Sequence, residues 1–214
     1  INSSQNYTDL SLEESALNSF FKSNPENENI VKEVNLFYKN RNFQYAWFNK
    51  KGMTQAIPNF QNQLQNYSND FEDKTFNNAQ LDTLITIIKT NKNETEVDKK
   101  QREKLELILT ATFFKYSEKA YTGINKNAHQ LDWYIPRSKK NYQVLLDSLV
   151  LKPDNKIYEP VNLYYSKLKQ KLRLYRDIQK KGGFPIVKTD KKLLSVTESD
   201  SCLLQVKQYL FLAG

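Results

Sequence analysis

Apolar positions along this chain recur mostly at intervals of three and four, the period that places side chains on one face of an α-helix. The first such run, SLEESALNSFFK, opens with Ser11 and Glu14 at capping-box spacing. Leu12, Ala16, Ser19 and Phe20 follow at helical intervals, so the spacing predicts a short helix over 11–22. Pro25, just after Asn24, marks a second start, because a proline in the first turn lacks only an N–H that has no partner within the helix. Ile30, Val34, Phe37 and Arg41 then fall at i, i+4, i+7 and i+11. That helix runs into RNFQYAWFNKKG, an aromatic loop that Gly52 closes.

A third helix is predicted over 55–67, with Ile57, Phe60, Leu64 and Tyr67 on one face, and a fourth over 78–90, with Leu81, Leu84, Ile85 and Ile88. The polar stretch 91–104, from Thr95 onward, reads as the exposed first turns of a long fifth helix. Its buried part is LELILTATFFKY, with Leu105, Ile108, Leu109, Thr112, Phe113 and Tyr116 making a broad apolar face. Gly123 is the natural terminator. A loop, NAHQLDWYIPR, precedes a sixth helix over 138–150, and Pro153 and Pro160 bracket a connector. The seventh helix, 161–181, stops at Gly182 and Gly183, with Val161, Tyr165, Leu168, Leu172 and Tyr175 as its inward stripe. A short helix over about 199–212 closes the series, with Leu203, Val206 and Leu210 inward. No internal repeat appears. The expected fold is all-α: an orthogonal bundle of about seven helices plus a short C-terminal one.

Composition agrees with that pattern. The chain has 214 residues, 39% hydrophobic and 13% aromatic, enough to bury a core rather than remain disordered. It holds only 5 Gly and 6 Pro, too few for the many turns of an all-β fold. Charge is uneven: residues 1–120 carry 15 Lys/Arg against 16 Asp/Glu, and residues 121–214 carry 17 against 8, so −1 and +9 make the net +8. Basic character is thus centred on 167–192, where nucleic acid, anionic lipid or an acidic polymer are the partners that charge alone admits.

One cysteine excludes an internal disulfide framework, and one histidine excludes His-rich metal sites. There is no Gly-rich phosphate loop, no His-x-x-x-His and no Cys-x-x-Cys, so no cofactor or metal is expected. Cys202 lies near the start of a predicted helix, where a thiol can be acidified. Its only candidate base, His129, is about seventy residues away, so Cys202 reads as structural or merely exposed and His129 as a surface or hydrogen-bonded loop residue. Lys169, Arg173, Arg176 and Lys180 stand at i, i+4, i+7 and i+11 on the seventh helix. The row suits phosphates or carboxylates, acidic residues of another domain, or plain solvation. The aromatic loops, with Tyr45, Trp47 and Phe48 in one and Trp133, Tyr134 and nearby Arg137 in the other, can stack on sugars but more readily plug gaps between helices. No apolar run is long enough to span a bilayer, and the start at Ile1 fits a mature boundary after a removed signal peptide.

Four stretches, in order, are IVKEVNLFYKNRNFQYAWF, LDWYIPRSKKNYQVLLDSL, YEPVNLYYSKLKQKLRLYRDIQKKGGFPIV and KKLLSVTESDSCLLQVKQYLFLAG. In that order and at those distances they resemble the region preceding the catalytic domain of YcbB-like L,D-transpeptidases, over roughly residues 30–214. The resemblance implies a non-catalytic helical scaffold domain in the periplasm, in a protein that cross-links peptidoglycan with a cysteine lying outside this chain. Cys202 does not match that family's catalytic signature, having no Gly before it and no Arg after it, so no catalytic residue carries over. The implied partners are the protein's own downstream catalytic and peptidoglycan-binding domains and peptidoglycan itself, rather than nucleic acid. The implied boundaries are an N-terminal extension (1–24), the scaffold (25–187), and the opening of a peptidoglycan-binding-like module (188–214). Lys169, Arg173, Arg176, Lys180, Trp133 and Arg137 are the candidate contact residues.

Overall fold

The computed structural model describes residues 8–90, 96–122, 141–151, 164–191 and 193–214. The loop holding His129, Trp133 and Arg137, the Gly123 terminator, the connector between Pro153 and Pro160, and Val161 lie outside the described residues. The architecture is predominantly α, as the spacing predicts. The chain divides into two compact units, Ile1–Pro160 and Val161–Gly214.

In the first unit, α1 (Glu14–Ser23) leads through a 3-10 turn (Pro25–Ile30) into α2 (Val31–Asn40). A two-residue hairpin, β1 (Phe48–Asn49) with β2 (Gly52–Met53), precedes α3 (Ala56–Phe71), α4 (Ala79–Thr90), α5 (Glu96–Thr122) and α6 (Tyr142–Leu151). Helix α5 is the axis of this unit. Leu105, Leu107, Ile108, Leu109, Ala111, Phe113, Phe114 and Tyr116 are all buried, so its lower half is wrapped on every side rather than along one face. Phe60 on α3 meets Trp47, Phe113 and Tyr116, while Tyr67 and Phe76 close on Tyr116, with centroid distances of 5.4–5.9 Å and mostly edge-on or tilted rings.

Two helix starts are fixed by asparagine. Asn78 Oδ1 accepts from the N–H groups of Gln80 and Leu81, and Asn141 Oδ1 from those of Gln143 and Val144. The capping box predicted at Ser11 does not form. Leu12 N–H donates to Phe43 O at 2.8 Å and Tyr45 N–H to Leu10 O at 2.9 Å, so residues 10–12 lie extended against the aromatic loop. Helix α1 therefore begins two residues after Leu12, with Glu13 as its N-cap.

The second unit holds α7 (Tyr165–Lys180) and α8 (Cys202–Ala213). Gly182 and Gly183 end α7 in a Schellman turn: Gly182 N–H donates to Gln179 O, Gly183 N–H to Ile178 O, and both glycines have positive φ. Phe184 then inserts between Tyr175 of α7 (6.0 Å) and Tyr209 of α8 (4.6 Å). The inward stripe expected on α7 is only partly covered: Leu168 is 61% and Tyr175 53% exposed, Tyr165 and Leu172 are half-buried, and the fully buried residue is Ile178, outside the stripe. On α8 the buried residue is Cys202; of the three expected inward, Val206 is half-buried while Leu203 and Leu210 face outward. A unit with two helices among its described residues offers too little surface to cover a wide apolar stripe on each.

Candidate functional site

Among the described residues, a fully buried polar arrangement surrounds Glu106, a residue of α5 with no solvent exposure. One carboxylate oxygen, Oε1, accepts from Ala46 N–H at 2.6 Å and from Tyr38 Oη at 2.9 Å. The other, Oε2, accepts from Trp47 N–H at 2.9 Å. One turn on, Thr110 Oγ1 accepts from Trp47 Nε1 at 2.9 Å and bonds Tyr38 Oη at 2.8 Å. A single side chain from the central helix thus fixes the backbone of the aromatic loop. Burial pushes the Glu106 carboxyl up to about 7, against the opposing pull of Ala46, Trp47, Tyr38 and the Arg41 charge.

Arg41 completes the clamp. Its guanidinium is buried at the end of α2, donates to Gln44 O and Tyr45 O, and pairs with Asp147 of α6 at 2.7 Å. It also stands 4.8 Å over the Phe37 ring. Between Arg41 and the hairpin the chain passes through the left-handed region at Asn42 (φ 53°) and Phe43 (φ 56°), a conformation that a bulky residue such as Phe43 adopts only under constraint. The constraint is visible: Phe43 N–H donates to Tyr38 O, and Phe43 O accepts from Leu12. Tyr45, Trp47 and Phe48 are buried, so this aromatic loop is packing and not a sugar platform.

The spacing of the sequence did not single out Glu106. Its signal was a lone carboxylate inside the apolar run LELILTATFFKY, flanked by Leu105 and Leu107. The loop amides that need it lie about sixty residues earlier, and no periodicity connects them.

Lys169, Arg173, Arg176 and Lys180 all lie on α7, four, three and four residues apart, as the sequence places them. Arg173 and Lys180 are exposed, Lys169 and Arg176 half-buried, and Lys169 Nζ stands 5.2 Å over the Tyr165 ring. Trp133 and Arg137, named with them, lie outside the described residues. Cys202 is buried at the first turn of α8, and its N–H donates to Asp200 Oδ1 at 2.8 Å. Burial and the neighbouring Asp200 push the thiol up, the opposite of what a nucleophilic thiolate needs. Among the described residues no group of His, Cys, Asp and Glu is placed to hold a metal ion, and no helix is long and apolar enough to cross a membrane.

In the first unit, the buried polar groups around Glu106 and Arg41 are spent on holding the unit's own loop to its central helix. Residues 32–172 match the family model described as Scaffold domain, and the chain belongs to that family. No curated protein and no solved structure matches it.

Proposed function

We propose that this chain is the scaffold domain of a periplasmic, murein-remodelling L,D-transpeptidase, positioning downstream catalytic and peptidoglycan-binding domains while supplying no nucleophile. The observation that carries the scaffold part of the reading is the family match over residues 32–172, while the transpeptidase part rests on the resemblance of the four stretches, of which the match covers nearly all of the first, the whole second and the start of the third. The environment of Cys202 supports it, because burial and the neighbouring Asp200 both disfavour the thiolate that attack on an acyl donor needs. The clamp supports it as well: a domain that sets distances between other domains works only if its own helices do not move.

Excision of residues 32–172 from the full gene product tests this reading. Cross-linking of muropeptides falls at least about tenfold if the scaffold orients the catalytic part. Undiminished cross-linking removes the positioning role. The coding sequence after residue 214 supplies a second test: a histidine followed by a cysteine among Ser, Gly and Arg is expected there.

A second reading, favoured by the exposure of Arg173 and Lys180, makes α7 a contact surface for an anionic polymer, murein first. Sedimentation with purified sacculi compares the chain with its Lys169→Ala, Arg173→Ala, Arg176→Ala, Lys180→Ala variant. Equal pelleting of the two withdraws the stripe from binding.

A further inference from the structure

A groove of about 1190 Å³ lies in the first unit, between α1 and the first turns of α5. Its size exceeds the roughly 300–1,000 Å³ of ordinary ligand clefts. The groove is open because α1 presents small side chains to it: Ala16, Ser19 and Ser23 stand at i, i+3 and i+7 and leave the space that larger residues would fill. Leu10 and Phe20 give it apolar surface, over a floor of the buried Tyr45 and Leu107. From the α5 side come Lys100 and Lys104, one helical turn apart, and between them in sequence Glu103, which shares the lining with Glu13, the N-cap of α1.

The lining is therefore two-signed. The lysines favour carboxylates, and the Glu13 and Glu103 carboxyls favour an amine. Burial and then the charge of Glu13 raise the Glu103 carboxyl, and the Lys100 charge offsets this only in part, so an added amine near the two acids would favour their ionised forms. Clamp and groove are also adjacent, since Tyr45 and Leu107 each neighbour a member of the clamp, Ala46 and Glu106.

We propose that this groove binds the murein stem peptide, an extended short peptide that carries both free carboxylates and a free amine, with its carboxylates at Lys100 and Lys104 and its amine at Glu13 and Glu103. The inference rests on the reading of the chain as a murein-facing scaffold and gives that scaffold a peptide-holding site of its own.

Calorimetric titration of the whole chain with the free tetrapeptide stem tests it. Two variants are compared with the wild type: Lys100→Glu with Lys104→Glu, which reverses the basic wall, and Ser19→Trp, which fills the groove from α1 without changing charge. Each weakens binding at least about tenfold at an unchanged melting temperature, and so does amidating the peptide's carboxylates or acetylating its amine. Absence of binding by the wild-type chain overturns the proposal, as does binding that Ser19→Trp leaves intact. Equal binding of an acidic linear peptide lacking the free amine also overturns it, in favour of a protein segment as the occupant. If the peptide does not bind while excision of 32–172 still abolishes cross-linking, the groove assignment fails alone and the scaffold reading stands.

Discussion

Ionising Glu106 costs the folded chain more than leaving it protonated, even though two N–H groups and one O–H point at its carboxylate. Between about pH 4.5 and 7 the unfolded chain has released this proton and the folded chain retains it. The folded state then binds more protons, so this residue's contribution to stability is complete below the window and falls as pH rises through it. Glu106→Gln carries no titrating proton there. Urea unfolding of both proteins at several pH values should show a decline from pH 4.5 to 7 in the wild type that is flattened in the variant; parallel curves would contradict the assignment. Glu106→Ala strips the acceptor from Ala46, Trp47 and Tyr38 together. Tyr38 keeps Thr110 as a partner, so at about 1–3 kcal/mol for each of the two backbone donors left unpaired, a loss of at least about 2 kcal/mol is expected in the same assay. At this scale the sequence was legible in type and not in partnership. The apolar neighbours of Glu106 say that it is buried, but its acceptor role is created by a loop that folds back from residues 46 and 47.

Elements are joined here by a few polar bonds whose partners differ in exposure, and that difference sets what each substitution costs. Arg41 is buried and serves Asp147, Gln44 O and Tyr45 O, whereas the Asp147 side chain is 29% exposed. Arg41→Ala is therefore expected to cost about 3 kcal/mol or more, since it strips the donor from the Gln44 and Tyr45 carbonyls as well as from Asp147, and Asp147→Ala less, since Arg41 keeps both carbonyls and water can enter at the half-open site. Thermal or urea unfolding of the two variants gives the order directly, and the reverse order would refute it. In the second unit, Gly182 sits at φ +104°, where an L side chain is strained even with open space around it. Gly182→Ala should cost about 1 kcal/mol and should appear as faster amide exchange at the last turn of α7. Helix ends and glycine stops were readable because they depend on neighbours in sequence. The Ser11 capping box was not, because a strand-like pairing with Gln44 claims that residue first. The apolar stripe of α7 has helical spacing, but spacing does not say whether a surface exists to cover it.

At the scale of the whole molecule, fold class was the most legible property, since scarcity of Gly and Pro and the period of the apolar residues both derive from helix geometry. Membership of the Scaffold domain family agrees with a role that places other domains. What remained hidden was the groove, because it comes from small residues on one helix facing long ones on another, and such facing is a property of packing. The central claim is that this chain supports murein cross-linking without performing it. The most direct measurement incubates tetrapeptide-containing muropeptides with this chain and, in parallel, with the full gene product, and resolves the products by chromatography and mass. The account predicts cross-linked dimer from the full product and none from the chain alone. Dimer formed by the chain and lost on Cys202→Ala would contradict it, and so would a full product that forms none.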